Sequence, residues 1–176
     1  MAISIEGVRE VFANLAKELS AQTRYEGSVW YHTAQVVAGE LVTIRPEWSM
    51  EVSASVLSAF SPREKWARNC DLSRKFARGE PTPCLGMSIR NANASILQGF
   101  TALKGRKTNA FARAIAGDGS AVVIDTWMLK PLGLRSVTPK QYDMIASVIT
   151  SLAKEVRMTP RDLQAALWIH IRGSAD

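Results

Sequence analysis

Apolar residues return every three or four positions along most of this 176-residue chain, which is the period of an α-helix. Val8, Phe12, Leu15 and Leu19 make the first stripe, and a second candidate helix runs from about Ser28 to Ile44. Arg45-Pro46 breaks the pattern, after which Ser49 can cap a helix carrying Val52, Val56 and Leu57. Ser61-Pro62-Arg63-Glu64 reads as a capping box with proline at the first helical position, predicting a helix to about Lys75. Ala77 to Gly86 holds two prolines and two glycines and reads as an irregular connection. A helix beginning near Ser88 would then carry Ala92, Ile96 and Leu97 inward.

Lys107 to Ala116 is the next predicted helix, stopped by Gly117-Asp118-Gly119. Ala121 to Ile124 is an apolar run too short to separate a strand from buried extended chain. Thr138-Pro139-Lys140-Gln141 and Thr159-Pro160-Arg161-Asp162 each join a capping hydroxyl to proline at the first helical position. They predict helices from about Pro139 to Val156 and from Pro160 to Ile171. With no strand alternation, repeat or low-complexity linker, the expected fold class is all-α.

Length and a hydrophobic content of 47% suit one core, so a single domain over residues 1–176 is expected. Twenty-two Lys plus Arg against sixteen Asp plus Glu leave a net charge of +6, which fits a polyanionic partner such as DNA. A basic protein with no such partner has the same balance, so charge alone does not decide. Arg63, Lys65, Arg68, Arg74, Lys75 and Arg78 form a basic cluster that either follows phosphates or is a solvated helix face.

Cys70 and Cys84 are the only cysteines, too few for a disulfide framework or a cysteine-held cluster, and they fit a reducing interior. His32 and His170 stand outside any metal-ligand spacing, so neither metal nor cofactor is expected. Trp30, Tyr31, Trp48 and Trp168 fall on apolar faces and read as core or pocket wall. Ser53, Ser55 and Ser58 lack a neighbouring His-Asp arrangement, which argues against serine nucleophiles. No basic leader with an apolar core opens the chain, and no run approaches the roughly 18 apolar residues of a membrane span. The expected location is the cytoplasm, nucleoid-associated or in the host of an encoding phage, with no membrane partner.

The segment Leu103 to Trp127, LKGRKTNAFARAIAGDGSAVVIDTW, sets a lysine and an aspartate on either side of one predicted helix and a tight return. Gly105, Arg106, Lys107, Thr108 and Ala110, then Val123, Asp125 and Thr126, resemble the hairpin and following segment of the helix-hairpin-helix DNA glycosylases, the superfamily of endonuclease III and the 8-oxoguanine glycosylases. Ser55-Val56-Leu57-Ser58-Ala59 is similar to that superfamily's Leu-Ser-Ala-Gln segment. Leu85-Gly86 with Asn91-Ala92-Asn93-Ala94-Ser95-Ile96 is similar to its Gly-x-x-x-x-Lys-Ala-x-x-Ile segment. In order, the matches span roughly residues 52 to 127.

The resemblance implies a helix-hairpin-helix glycosylase-like fold, without an iron–sulfur cluster, and a monomer acting on double-stranded DNA that carries a lesion or modified base. Lys107 and Asp125 would be catalytic. Cleaving an N-glycosidic bond builds positive charge on the sugar, which a carboxylate beside the anomeric carbon stabilises; Asp125 takes that place. An uncharged amine attacking that carbon gives a Schiff base whose β-elimination nicks the strand, and Lys107 takes that one. Gly105, Arg106, Thr108 and Lys104 would bind the DNA backbone through the helix start. An extruded base needs a pocket, for which Trp127, Phe60 and Trp66 are the candidates.

The chain departs from the superfamily in places. Thr101-Ala102-Leu103-Lys104-Gly105 replaces the usual Leu-Pro-Gly-Val-Gly hairpin, the interval before it is shorter, Phe60 stands for a frequent glutamine and Trp127 for a frequent histidine. The function implied is a DNA glycosylase with lyase activity at abasic sites. The alternatives are a non-catalytic DNA-binding protein of the same fold, or an enzyme acting on modified bases with the same residues.

Overall fold

The computed structural model describes residues 3–174, and every regular element among them is helical. Nine α-helices follow one another: α1 Ile5–Glu18, α2 Ala21–Ile44, α3 Met50–Phe60, α4 Trp66–Arg78, α5 Gly86–Gln98, α6 Arg106–Ile115, α7 Thr126–Leu129, α8 Pro139–Glu155 and α9 Pro160–Arg172. Short 3₁₀ turns occupy Gly99–Ala102 and Lys130–Leu132. The all-α class expected from the periodicity is therefore the observed one.

Hydroxyl caps set most of the starts. Ser4, Ser49, Thr138 and Thr159 accept backbone N–H groups of Gly7, Val52, Gln141 and Asp162, and Thr138 with Gln141 completes a reciprocal box. Ser20 Oγ likewise accepts from Thr23 N, so α2 begins well before the Ser28 expected from apolar spacing. Leu19, the end of the first stripe, is buried with Val8 and Phe12 and stands at the C-cap of α1.

Two expectations are overturned. The helix expected from Pro62 begins at Trp66, because the Ser61 hydroxyl donates to Ser58 O at 2.8 Å and so closes α3 instead of capping α4. Arg63 then takes a left-handed backbone, φ 65°, incompatible with a helix there. In α5 the inward residues are Ser88, Ala92 and Ser95, whereas Ile96 and Leu97 face out, Leu97 at 86% exposure. Small residues on that face let α5 lie close against the buried length of α3, its most extensive neighbour. Close packing of short side chains outweighed the larger apolar pair that periodicity favoured.

The chain gathers into two compact units. The first joins the described residues through Tyr31 to those from Asp118 onward, and packs α1, α7, α8 and α9 around Phe12, Met128, Ile145, Ile149, Leu163 and Leu167. In it the apolar run Ala121–Ile124 is buried without becoming a strand. The Tyr142 hydroxyl supplies what a neighbouring strand would, donating to Val122 O at 3.0 Å and accepting from Ile124 N at 3.1 Å.

The second unit, His32–Gly117, centres on α3, which is buried from Ser53 through Phe60 and packs on α4, α5 and α6. The Ser58 hydroxyl donates to Thr108 O at 2.6 Å, tying α3 to the first turn of α6. The Ser53 and Ser55 hydroxyls are buried with no partner; nothing in the packing explains them.

Candidate functional site

The start of α6 is positioned by a braced turn. After α5, Gly99 adopts φ 54° and ψ −135°, a region open to glycine alone, and a side chain there would collide with the Glu51 carboxylate. That carboxylate accepts from Phe100 N at 3.0 Å. From the other side the Asn109 amide donates to Phe100 O at 2.8 Å and Leu103 O at 3.3 Å, while its oxygen accepts from Arg113 Nε. Arg113 in turn lies 4.9 Å over the Phe100 ring. Glu51 has no local spacing that points to this role, because it reaches the turn from α3, whereas Asn109 braces it from within α6 itself.

The turn delivers Lys104, Gly105, Arg106, Lys107 and Thr108 together, the first four exposed. Gly105 holds the N-cap position without a side-chain cap, and the Thr108 hydroxyl donates back to Gly105 O at 3.0 Å. The first turn of α6 carries no acidic residue. Lys104 and Lys107 have no acidic partner among the described residues. Lys104 and Lys107 at the positive end of a helix are unfavourable with the dipole, by roughly 0.3–1 kcal/mol each, a cost that an anion would reverse.

The basic cluster of α4 behaves differently. Arg68, Arg74, Lys75 and Arg78 pair with Glu64, Glu40, Asp71 and Glu80 respectively, which leaves Arg63 and Lys65 of that group without an acidic partner among the described residues. A solvated helix face describes it better than a phosphate track.

Asp125 belongs to the other unit and is the N-cap of α7. Its Oδ1 accepts from Trp127 N at 2.9 Å and Met128 N at 3.1 Å, and its Oδ2 accepts from the Trp168 indole Nε1 at 2.9 Å. The half-buried carboxylate is thus held by three N–H donors. Trp168 is the residue that sequence spacing missed, since it stands on α9, far along the chain. Replacing Asp125 with Asn keeps the cap but turns an amide N–H₂ toward the indole N–H. A loss of about 1–2 kcal/mol in urea unfolding is expected, partly recovered by adding Trp168→Phe, which removes the opposing donor.

The three aromatic candidates part company. Phe60 is 1% exposed and packs edge-on against Phe76 at 5.3 Å, a core side chain and not the wall of an open pocket. Trp66, the first residue of α4, is half-buried and meets Phe111 at 6.3 Å. Trp127 is half-buried in the first turn of α7, with Lys130 over its ring.

Cysteine chemistry is disfavoured physically: burial pushes the Cys70 thiol up to about 11 and the Cys84 thiol above its ordinary value, so neither is a thiolate near neutral pH. No group of three His, Cys, Asp or Glu side chains among the described residues could hold a metal ion, and no described helix is long and apolar enough to cross a membrane.

The sequence pattern of DUF7178, a family of unknown function, matches residues 5–175. The chain belongs to that family. No curated protein and no solved structure matches it. In this DUF7178 chain the matched region takes in both units, the cationic start of α6 and the clamped aspartate at α7 alike.

Proposed function

We propose that this chain is a DNA glycosylase of the helix-hairpin-helix kind with lyase activity at the abasic site it makes. The observation that carries the reading is the start of α6: Lys104, Arg106 and Lys107 exposed around a helix terminus that has no side-chain cap and no acid in its first turn. Two helices joined by the short turn 99–105 support the hairpin part of the reading. Phosphate oxygens would accept from the first N–H groups of α6 and from Arg106 and Lys104.

Lys107 would attack the anomeric carbon of the target nucleoside as a neutral amine. The carbon–nitrogen bond to the base breaks, the base leaves with the electron pair and takes a proton, and opening of the sugar gives a lysine–imine. Loss of a proton from the sugar's second carbon expels the 3′ phosphate; water then releases the lysine. Asp125 would oppose the positive charge that grows on the sugar, its carboxylate held in one orientation by Trp127 N, Met128 N and the Trp168 indole.

The test is base release from a panel of duplexes, each holding one damaged or modified base. At least one lesion is expected to be excised and its strand nicked, and Asp125→Asn should slow release by about a hundredfold. Unchanged release by that variant removes the carboxylate from the chemistry.

A second reading is favoured by a specific observation: three N–H donors already make Asp125 a complete helix cap. Under it the protein binds DNA through α6 and cuts nothing. Salt-sensitive duplex binding with no base released from any member of the panel would select it.

A further inference from the structure

Aromatic rings with cations on their faces gather where α7 meets the last turn of α9. The Lys130 ammonium stands 3.2 Å from the centre of the Trp127 ring, and the Arg172 guanidinium lies 4.8 Å from Trp168 and 6.0 Å from Trp127. Both rings are half-buried and both cations lie outside the core. Neither cation has an acidic partner among the described residues. The Asp125 carboxylate, bonded to the Trp168 indole, is already taken up by its three N–H donors. Since the Trp168 indole N–H is one of those donors, its ring offers a ligand only its face and edge.

A ligand that satisfies this arrangement is flat, aromatic and anionic. Ring faces attract stacking partners, and a cation held there by the ring alone is displaced at little cost when the site is open to water. Two uncompensated cations beside one ring suit two phosphates flanking one base. We infer that Trp127, with Lys130, Arg172 and the edge of Trp168, is a stacking site for an unpaired nucleotide of a single-stranded nucleic acid. The base displaces Lys130 from the Trp127 face, and the freed ammonium joins Arg172 in contacting the phosphates on either side. The inference has its own footing: it holds whether or not Lys107 is a nucleophile.

The experiment is fluorescence anisotropy with three labelled strands: an oligodeoxynucleotide, the oligoribonucleotide of the same sequence, and a strand of tetrahydrofuran residues that keeps every phosphate but has no bases. The base-bearing deoxy or ribo strand, or both, should bind about tenfold or more tightly than the baseless strand. A preference between the first two identifies the natural source, DNA or RNA. Trp127→Ala should erase the advantage over the baseless strand, and Trp127→Phe should keep most of it. Lys130→Glu combined with Arg172→Glu, at side chains outside the core, should weaken all strands about tenfold and flatten the dependence on salt.

Equal binding of baseless and base-bearing strands overturns the stacking, and a preference surviving Trp127→Ala overturns its location. Should Trp127→Ala fail to fold, unchanged affinity in the double charge reversal overturns the site by itself. A peptide of alternating Glu and Tyr that binds as tightly as the oligonucleotide overturns the nucleotide assignment. Lys107→Gln should leave the preference for bases intact, so failure of the glycosylase reading is separable from failure of this one.

Discussion

Lys107→Gln is expected to leave a folded protein that still binds duplex DNA and forms no covalent adduct with it. The side chain is exposed, stands in the first turn of α6 and has no acidic partner among the described residues. Removing its charge therefore disturbs no packing, and stability should stay within about 0.5 kcal/mol of the parent. Relieving one cation at the positive end of a helix even acts in the stabilising direction. Duplex affinity should fall modestly, with the slope of log affinity against log salt reduced by about one. Borohydride reduction on a duplex with an abasic site should give an adduct with the parent and none with the variant, because glutamine cannot form an imine. An adduct that persists in Lys107→Gln places the nucleophile elsewhere.

Gly27→Val should unfold much of the first unit. At Gly27 an added Cβ would sit 2.6 Å from both the backbone nitrogen and the Cβ of Ala166. The obstacle is the backbone of α9 and cannot rotate aside. Gly27→Ala alone should cost about 3 kcal/mol, and valine, with two further methyls in the same space, more. Gly39, in the same helix, has nothing within 4 Å of its would-be Cβ. Gly39→Ala should raise stability by about 0.5–1 kcal/mol through helix propensity alone. Urea denaturation of the three variants checks both signs, and a Gly27→Ala protein as stable as its parent would contradict the close α2–α9 approach.

Local chemistry made the helices legible. Ser49, Thr138 and Thr159 cap as their spacing implied, and Gly117-Asp118-Gly119 follows the end of α6. Where one side chain had two possible partners, the sequence misled: Ser61 satisfies the carbonyl behind it instead of the N–H groups ahead. Periodicity placed Ala92 inward, as observed, but favoured Ile96 and Leu97 over Ser88 and Ser95, because size is visible in a sequence and the closeness of a neighbouring helix is not. Assembly of one unit from both ends of the chain has no local signature either.

The candidate site was legible to the same degree. The Gly105-Arg106-Lys107-Thr108 start of α6 and the capping position of Asp125 are local, and both could be found from short spacings. Their distant supports are not: Glu51 braces the turn from α3, and Trp168 reaches Asp125 from α9. Phe60 shows the opposite failure, since an aromatic beside a matched motif can as easily be core.

Mapping the reduced adduct tests the central claim most directly. The protein is incubated with an abasic-site duplex under borohydride, digested with protease and nuclease, and the sugar-bearing peptide sequenced by mass spectrometry. The lysine mechanism requires the deoxyribose remnant on the Nζ of Lys107. A remnant on any other amine, or no modified peptide while base release proceeds, would contradict it.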